Sequence, residues 1–308
     1  RIRQSRMELE RGFVTSGNSY ASGRAAAHYM LEGAARERYN GILYYQFLGE
    51  LLKNFEANHG QIIQELKQIQ GKICRKSHLA LSFTGTEKAY AGFRKFIENS
   101  RFCGSTRETE CGRYGDELLH GRAEAFIVPS EVSYVALGGI GDYAGEDCLL
   151  GRMVSFDYLW AKIRAEGGAY GCQMSVFPNK SWAMSSYRDP NVKRTIETFR
   201  NTSRWLAALE LGEKELLNYK IGAVAGYDRT PKTYVQAKRM DSWYLRQEEP
   251  QVRAKVREGL LKASQEGLKK RYQALESFAG EGTVCVLGNR EKIEEAKDRF
   301  DSVTVLME

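Results

Sequence analysis

The hydrophobic positions of this chain change period several times, and each change marks an element. Through residues 1–75 they recur at helical spacing. Ala25, Ala26, Tyr29 and Met30 make one apolar stripe; Ile42, Leu43, Tyr45, Phe47, Leu48, Leu51 and Leu52 make another. Residues 78–83 alternate as a half-buried strand does. Thr86 then fits the N-cap of a helix running through about residue 97, with Phe93, Phe96 and Ile97 on the face to be buried. Residues 98–121 lose the pattern, turn polar and glycine-rich, and read as a linker or long exposed loop. A strand is expected over 124–138, where Val132, Tyr134 and Ala136 alternate against Ser133, Val135 and Leu137. A helix follows from about Asp147 to Arg164, with Leu150, Val154, Leu159, Trp160 and Ile163 apolar, and Gly167-Gly168 ends it because glycine tolerates positive φ. Residues 171–177 and 181–187 form a hairpin around Pro178-Asn179. Asp189-Pro190 opens the next helix, with proline in its first turn. Helices are expected over 213–226, 232–245 and 250–278, the last with Val252, Val256, Leu260, Leu268, Tyr272 and Leu275 on one face. The chain closes with a strand over 283–288, Asn289 as N-cap, a helix through Phe300 and a strand over 303–306.

The strand–cap–helix unit at 283–300 echoes the one at 78–97, and each follows a long helical stretch. This reads as an internal repeat. Residues 1–100 are then the second half of one α+β module, 101–121 a linker, and 122–308 a complete copy. Helices and hairpins outnumber βαβ units, so antiparallel-rich sheets with helices on one face are expected. A length of 308 residues accommodates two cores. No apolar run reaches the roughly 18–20 residues that span a bilayer. The first residues, Arg1-Ile-Arg-Gln-Ser-Arg6, lack a signal-peptide core and an initiator Met and open inside a helix, so the chain is expected to be a piece of a longer polypeptide.

Charge and candidate chemistry change this picture little at first. The net charge of +7 is spread thinly. The basic stripe Lys255, Lys262, Lys269, Lys270 and Arg271 is interleaved with Glu258, Glu266 and Glu276, which makes a solvated helix face and not a nucleic-acid surface. Six cysteines, at 74, 103, 111, 148, 172 and 285, form no CxxC pair and read as reduced thiols of an intracellular protein; Cys103 and Cys111 are free thiols of the linker. Gly139-Ile-Gly141-Asp-Tyr-Ala144 matches a dinucleotide fingerprint, but that motif needs a parallel strand with an acidic end about 20 residues on, where residues 154–166 read as helix. It is taken as a glycine-rich loop. The four histidines are His28, His59, His78 and His120. His120 and Glu124 are four apart at a linker–strand boundary with no further ligand, so no metal is expected in this chain.

The most informative run is Arg164-Ala-Glu-Gly-Gly-Ala-Tyr170-Gly171-Cys172, followed by Ser186-Tyr-Arg-Asp-Pro-Asn191. It places an arginine and a tyrosine across a helix-to-strand turn. Arginine offers a fork of donors to carbonyl and carboxylate oxygens. A tyrosine hydroxyl can donate to an oxyanion as it develops. Gly167 and Gly168 between them let a substrate backbone come close. The arrangement suits an extended peptide; it also suits a surface arginine at a helix C-terminus, where positive charge is favoured, beside a half-core tyrosine.

These two runs resemble the C-terminal half of the presequence-protease branch (M16-type) of the insulinase-like zinc metalloproteases. Ile221-Gly222, Thr230-Pro231 and residues 283–288 resemble later parts of the same family. The resemblance implies tandem metalloprotease-like modules, the first truncated: residues 1–100 end the third and 122–308 are the fourth. It implies that Arg164 and Tyr170 are catalytic, contacting the substrate carbonyl and the oxyanion, with Gly167, Gly168 and Ala169 binding the substrate backbone. The family's inverted His-x-x-Glu-His zinc motif is absent here. Zinc and its general base are therefore expected from a missing N-terminal half, this chain alone is expected to be inactive, and its partners are that half and unfolded peptides held in a closed chamber, not nucleic acid or membrane. The implied compartment is the cytoplasm of a bacterium or an organelle matrix. The alternative is a non-catalytic homologue that binds peptide or protein without cleaving it.

Overall fold

The computed structural model describes residues 1–73, 81–100 and 117–308. They form two compact units. The first comprises Arg1–Gly49, Gly115–Arg229 and Pro250–Glu308, and the second Glu50–Tyr114 and Thr230–Glu249.

The first unit is built on six strands: β1 (Ala123–Ile127), β2 (Tyr134–Ile140), β3 (Gly171–Val176), β4 (Ser181–Tyr187), β5 (Thr283–Gly288) and β6 (Ser302–Val305). They form one mixed sheet in the order β3-β4-β2-β5-β1-β6. The pairs β3–β4, β4–β2 and β2–β5 are antiparallel, and β1 runs parallel to β5 and β6. The expected α+β, antiparallel-rich class is the one found.

Alternation along the strands sorts side chains to two faces. One face sends Ala125, Ile127, Val135, Leu137, Trp182, Met184, Val284 and Val286 into the main core. There they meet Leu149, Leu150 and Met153 of the helix Gly145–Met153, Leu159 and Ile163 of the segment after it, Phe199 and Phe278. Each large apolar side chain buried this way contributes about 1.5–3 kcal/mol.

The other face carries Glu124, Phe126, Tyr134, Ala136 and Cys285 and is not bare. The helix Gly17–Ala26 lies across β2, β4 and β5. Gly17 permits this approach: a Cβ there would stand 2.2 Å from the Tyr134 ring. Helices thus cover both faces, not one. The sequence gives no hint of this because the contact that docks the helix, Arg24 with Glu124, joins residues a hundred positions apart.

Three further expectations change. The strand over 124–138 is two strands, β1 and β2, with Pro129 between them; proline supplies no ladder donor. The helix over 250–278 is three, Pro250–Lys262, Gln265–Lys269 and Tyr272–Glu281, restarted where the Ser264 hydroxyl accepts from the Gly267 N–H. Pro190 lies outside its helix, which begins at Val192. In the second unit Thr86 caps the helix Glu87–Asn99 by accepting from the Ala89 N–H. Phe93 stacks on Phe83 at 5.0 Å between centroids, but Phe96 is exposed. Residues 81–84 are irregular; the rest of the strand expected at 78–83, most of the linker, and Cys74, Cys103 and Cys111 lie outside the described residues.

Candidate functional site

The segment Val154–Ala165 continues the helix Gly145–Met153 but widens to π geometry, which is rare and often found at functional sites. Its last turn closes with Glu166 N–H on Ala161 C=O. The Gly168 N–H then returns to Arg164 C=O at 2.9 Å and the Ala169 N–H to Ile163 C=O at 3.1 Å. This is the closure a helix makes around a left-handed residue, and Gly168 supplies it with φ +80°. Gly167 is needed for a different reason: a Cβ there would stand 2.5 Å from Ile163 C=O. The two glycines are thus first of all a helix stop.

The stop sets the side chains on either side of it. Ala169 is buried in the core, so only its backbone is available to a ligand. Tyr170 starts the sheet, its N–H on Tyr187 C=O at 3.0 Å, and its side chain is 67% exposed. Arg164, half-buried at the helix end, sets its guanidinium over the Trp160 ring, 3.8 Å from the centroid. No ion pair joins Arg164 to an acid among the described residues.

The turn is held from outside. Asn191 donates its amide to Gly167 C=O. Arg194 donates to Glu166 C=O at 3.3 Å and to its carboxylate at 2.9 Å. Asn191 is fixed in turn by Asp189, fully buried, which accepts from the Asn191 N–H at 2.8 Å and the Thr195 hydroxyl at 2.7 Å. Burial raises the Asp189 carboxyl, opposed by these same hydrogen bonds. Arg188, at φ +49°, sits 5.7 Å from the Tyr170 ring. Arg164 and Tyr170 therefore project from one braced turn. Sequence reasoning listed Trp160 among the apolar positions of its helix and missed it as the platform under Arg164; the i, i+4 spacing of the two was the available signal.

The other candidate motifs resolve into structure. Gly141 of the fingerprint-like loop makes room for Trp182, whose indole would lie 2.2 Å from a Cβ and whose Nε1–H donates to Asp142 C=O. β2 before it pairs antiparallel on both sides, without the parallel neighbour a dinucleotide fold needs. Glu124 is taken by Arg24 and His28 and not by His120. Among the described residues no group of three or more His, Cys, Asp and Glu is placed to hold a metal, so these residues do not fit a zinc centre. No helix among them is long and apolar enough to cross a membrane.

Residues 123–289 match the family of the PreP C-terminal domain. Along nearly its whole length the chain is similar to Protein HypA of Clostridium perfringens, 31% identical over 98% of this chain and 31% of that protein. It is 25% identical to presequence protease 1, chloroplastic/mitochondrial, of Arabidopsis thaliana, over 96% of this chain and 28% of the protease. It is 27% identical to the mitochondrial presequence protease of Saccharomyces cerevisiae, over 62% of this chain and 21% of the protease. The chain thus spans about a third or less of the length of these relatives.

Proposed function

Since the chain belongs to the PreP C-terminal domain family, we propose that it is the C-terminal part of a zinc metalloendopeptidase that degrades unfolded peptides in a closed chamber. Its own contribution is the grip on the substrate. Arg164 donates to the carbonyl of the bound peptide, its guanidinium held over the Trp160 ring. The exposed Tyr170 hydroxyl donates to the oxyanion as the carbonyl becomes tetrahedral. The backbone of Gly167, Gly168 and Ala169 lies against the peptide between them. Zinc and the base that activates water belong to the N-terminal half, and no step through them is derived from this chain.

The observation that carries the reading is the contrast within one turn. The backbone is braced by Asn191 and Arg194, while Arg164 and Tyr170 are left without an acidic partner among the described residues. Preorganised donors of this kind lower the barrier without reorganising during the reaction. On the same reading residues 1–100 end the third of four modules, 101–121 are the linker and 122–308 are the fourth; the start of the family match at residue 123 supports that division.

The test is steady-state kinetics of the whole protease on an unstructured peptide. Tyr170→Phe should lower kcat by roughly 10²-fold with little change in KM. An unchanged kcat would remove the oxyanion role.

A further inference from the structure

Beside the Arg164–Tyr170 turn the surface opens into a hollow of about 370 Å³, lined by Arg152, Phe156, Trp160, Cys172, Met174 and Val176. Its floor is the outer edge of β3, and its wall is the helix that ends in the turn. Arg152, Phe156, Trp160 and Arg164 follow one another at intervals of four along that helix. They read cation, ring, ring, cation. Arg152 lies 4.8 Å from the Phe156 ring as Arg164 lies 3.8 Å from Trp160. Arg152 reaches this place across Gly222, where a Cβ would meet its guanidinium at 2.8 Å.

The chemistry of the hollow is apolar with a basic rim. Phe156 is 53% and Trp160 42% exposed, two large rings left in water on one helix face. Two thiols also line it, and both are neutral at physiological pH: burial pushes Cys148 up to about 12 and Cys172 up to about 11. Asp157 and Glu215 stand beyond Arg152, in the hollow it shares with Phe156 and Tyr219, and neither is within ion-pair distance of it. Asp157 accepts from the Tyr219 hydroxyl, Glu215 from the Gly212 N–H, and Glu166 pairs with Lys162 and Arg194. Arg152 has no ion pair among the described residues. At Met174 the edge of β3 is already occupied, because the Ser155 hydroxyl accepts from the Met174 N–H and lies 3.2 Å from its C=O. The hollow takes a side chain.

We propose that it is a specificity pocket for a bulky apolar side chain of the bound peptide, with a neighbouring acidic side chain of that peptide on Arg152. The proposal rests on the reading of Arg164 and Tyr170 as the grip, since Trp160 is both the platform of Arg164 and a wall of the pocket. Sequestering one leucine-sized side chain is enough for about a tenfold gain in affinity.

Binding of labelled unstructured peptides to the full chain, followed by fluorescence anisotropy, tests it. Three peptides differ only at one central pair, Glu-Leu, Glu-Gly or Lys-Leu. The Glu-Leu peptide should bind about tenfold more tightly than Glu-Gly and a few-fold more tightly than Lys-Leu. Phe156→Ala should erase the preference for leucine, and Arg152→Gln the preference for glutamate. Phe156→Asp, at the same half-exposed position, should turn the preference from Glu-Leu toward Lys-Leu, with an unchanged thermal melt showing that the fold is intact. A leucine preference that survives Phe156→Ala, or no leucine preference at all, overturns the pocket while leaving the grip standing, provided Arg164→Ala still weakens all three peptides alike. If Arg164→Ala changes none of them, the grip falls and the pocket with it.

Discussion

Arg24 and Arg164 belong to the same unit and have opposite surroundings. Arg24 is withdrawn from water between the helix Gly17–Ala26 and the sheet. It grips Glu124 with two donors, at 2.6 and 2.9 Å, and reaches Glu37 at 3.2 Å. His28 adds a third contact to Glu124 at 2.9 Å. Arg164 keeps part of its surface in water, leans on an indole and has no carboxylate partner among the described residues. A desolvated charge needs its partners already in place, so the Arg24 cluster acts as an anchor. A partly hydrated charge resting on an aromatic ring keeps its donors for something that arrives later.

The contrast breaks most visibly in stability. Arg24→Ala should cost about 3–5 kcal/mol in denaturant unfolding, because it leaves Glu124 and Glu37 buried without their counter-charge. A cost below about 1 kcal/mol would erase the distinction between the two arginines. Acid should weaken the same anchor. Burial alone would raise the Glu124 carboxyl from 4.5, but the hydrogen bonds and charges of Arg24 and His28 prevail and hold it at about 2. A lowered folded-state value means stability that is present above pH 4.5 and drains away as pH falls from there toward 2. The drop of 2.5 units corresponds to a loss on the order of 3 kcal/mol. Glu37, raised by burial despite Arg24, works the other way and blunts the loss. Urea titrations at stepped pH should show this dependence in the native chain and a flatter one in Glu124→Gln.

On the Arg164 side the effects shrink. Gly168→Ala should cost about 1–2 kcal/mol from its left-handed φ of +80°, since a Cβ there meets nothing nearer than 3.8 Å and crowding adds nothing. Asn at the same position should cost less than Ala. Smallest of all, Arg164→Ala should change stability by less than about 0.5 kcal/mol. A large loss there would make Arg164 a second anchor and not a grip.

The sequence was legible where one local rule decides the outcome. Gly167-Gly168 marked the helix stop, Thr86 and Asn289 the caps, and the Pro178-Asn179 turn the hairpin of β3 and β4. It was not legible where a distant partner decides. Arg24 and Glu124 carry no mutual signal across a hundred residues, so the second covered face of the sheet went unseen. Nor does any residue between Val154 and Ala165 announce π geometry. The candidate site divides along the same line. Arg164 and Tyr170 stood out by type and spacing. The roles of Trp160, Asn191 and Arg194 depend on contacts that only the folded chain makes.

Ser155 gains weight from that location. A surface that handles unfolded peptides beside an open sheet edge invites those peptides to pair with it and recruit others, the first step of aggregation. β3 is such an edge. The Ser155 hydroxyl occupies its midpoint, satisfies Met174 and returns a hydrogen bond to Gly151 C=O of its own helix. A single buried hydroxyl thus fills, at Met174, the place that a pairing strand would use, and if the chain handles unfolded peptides as proposed, that contact takes one rung away from any strand that would template there.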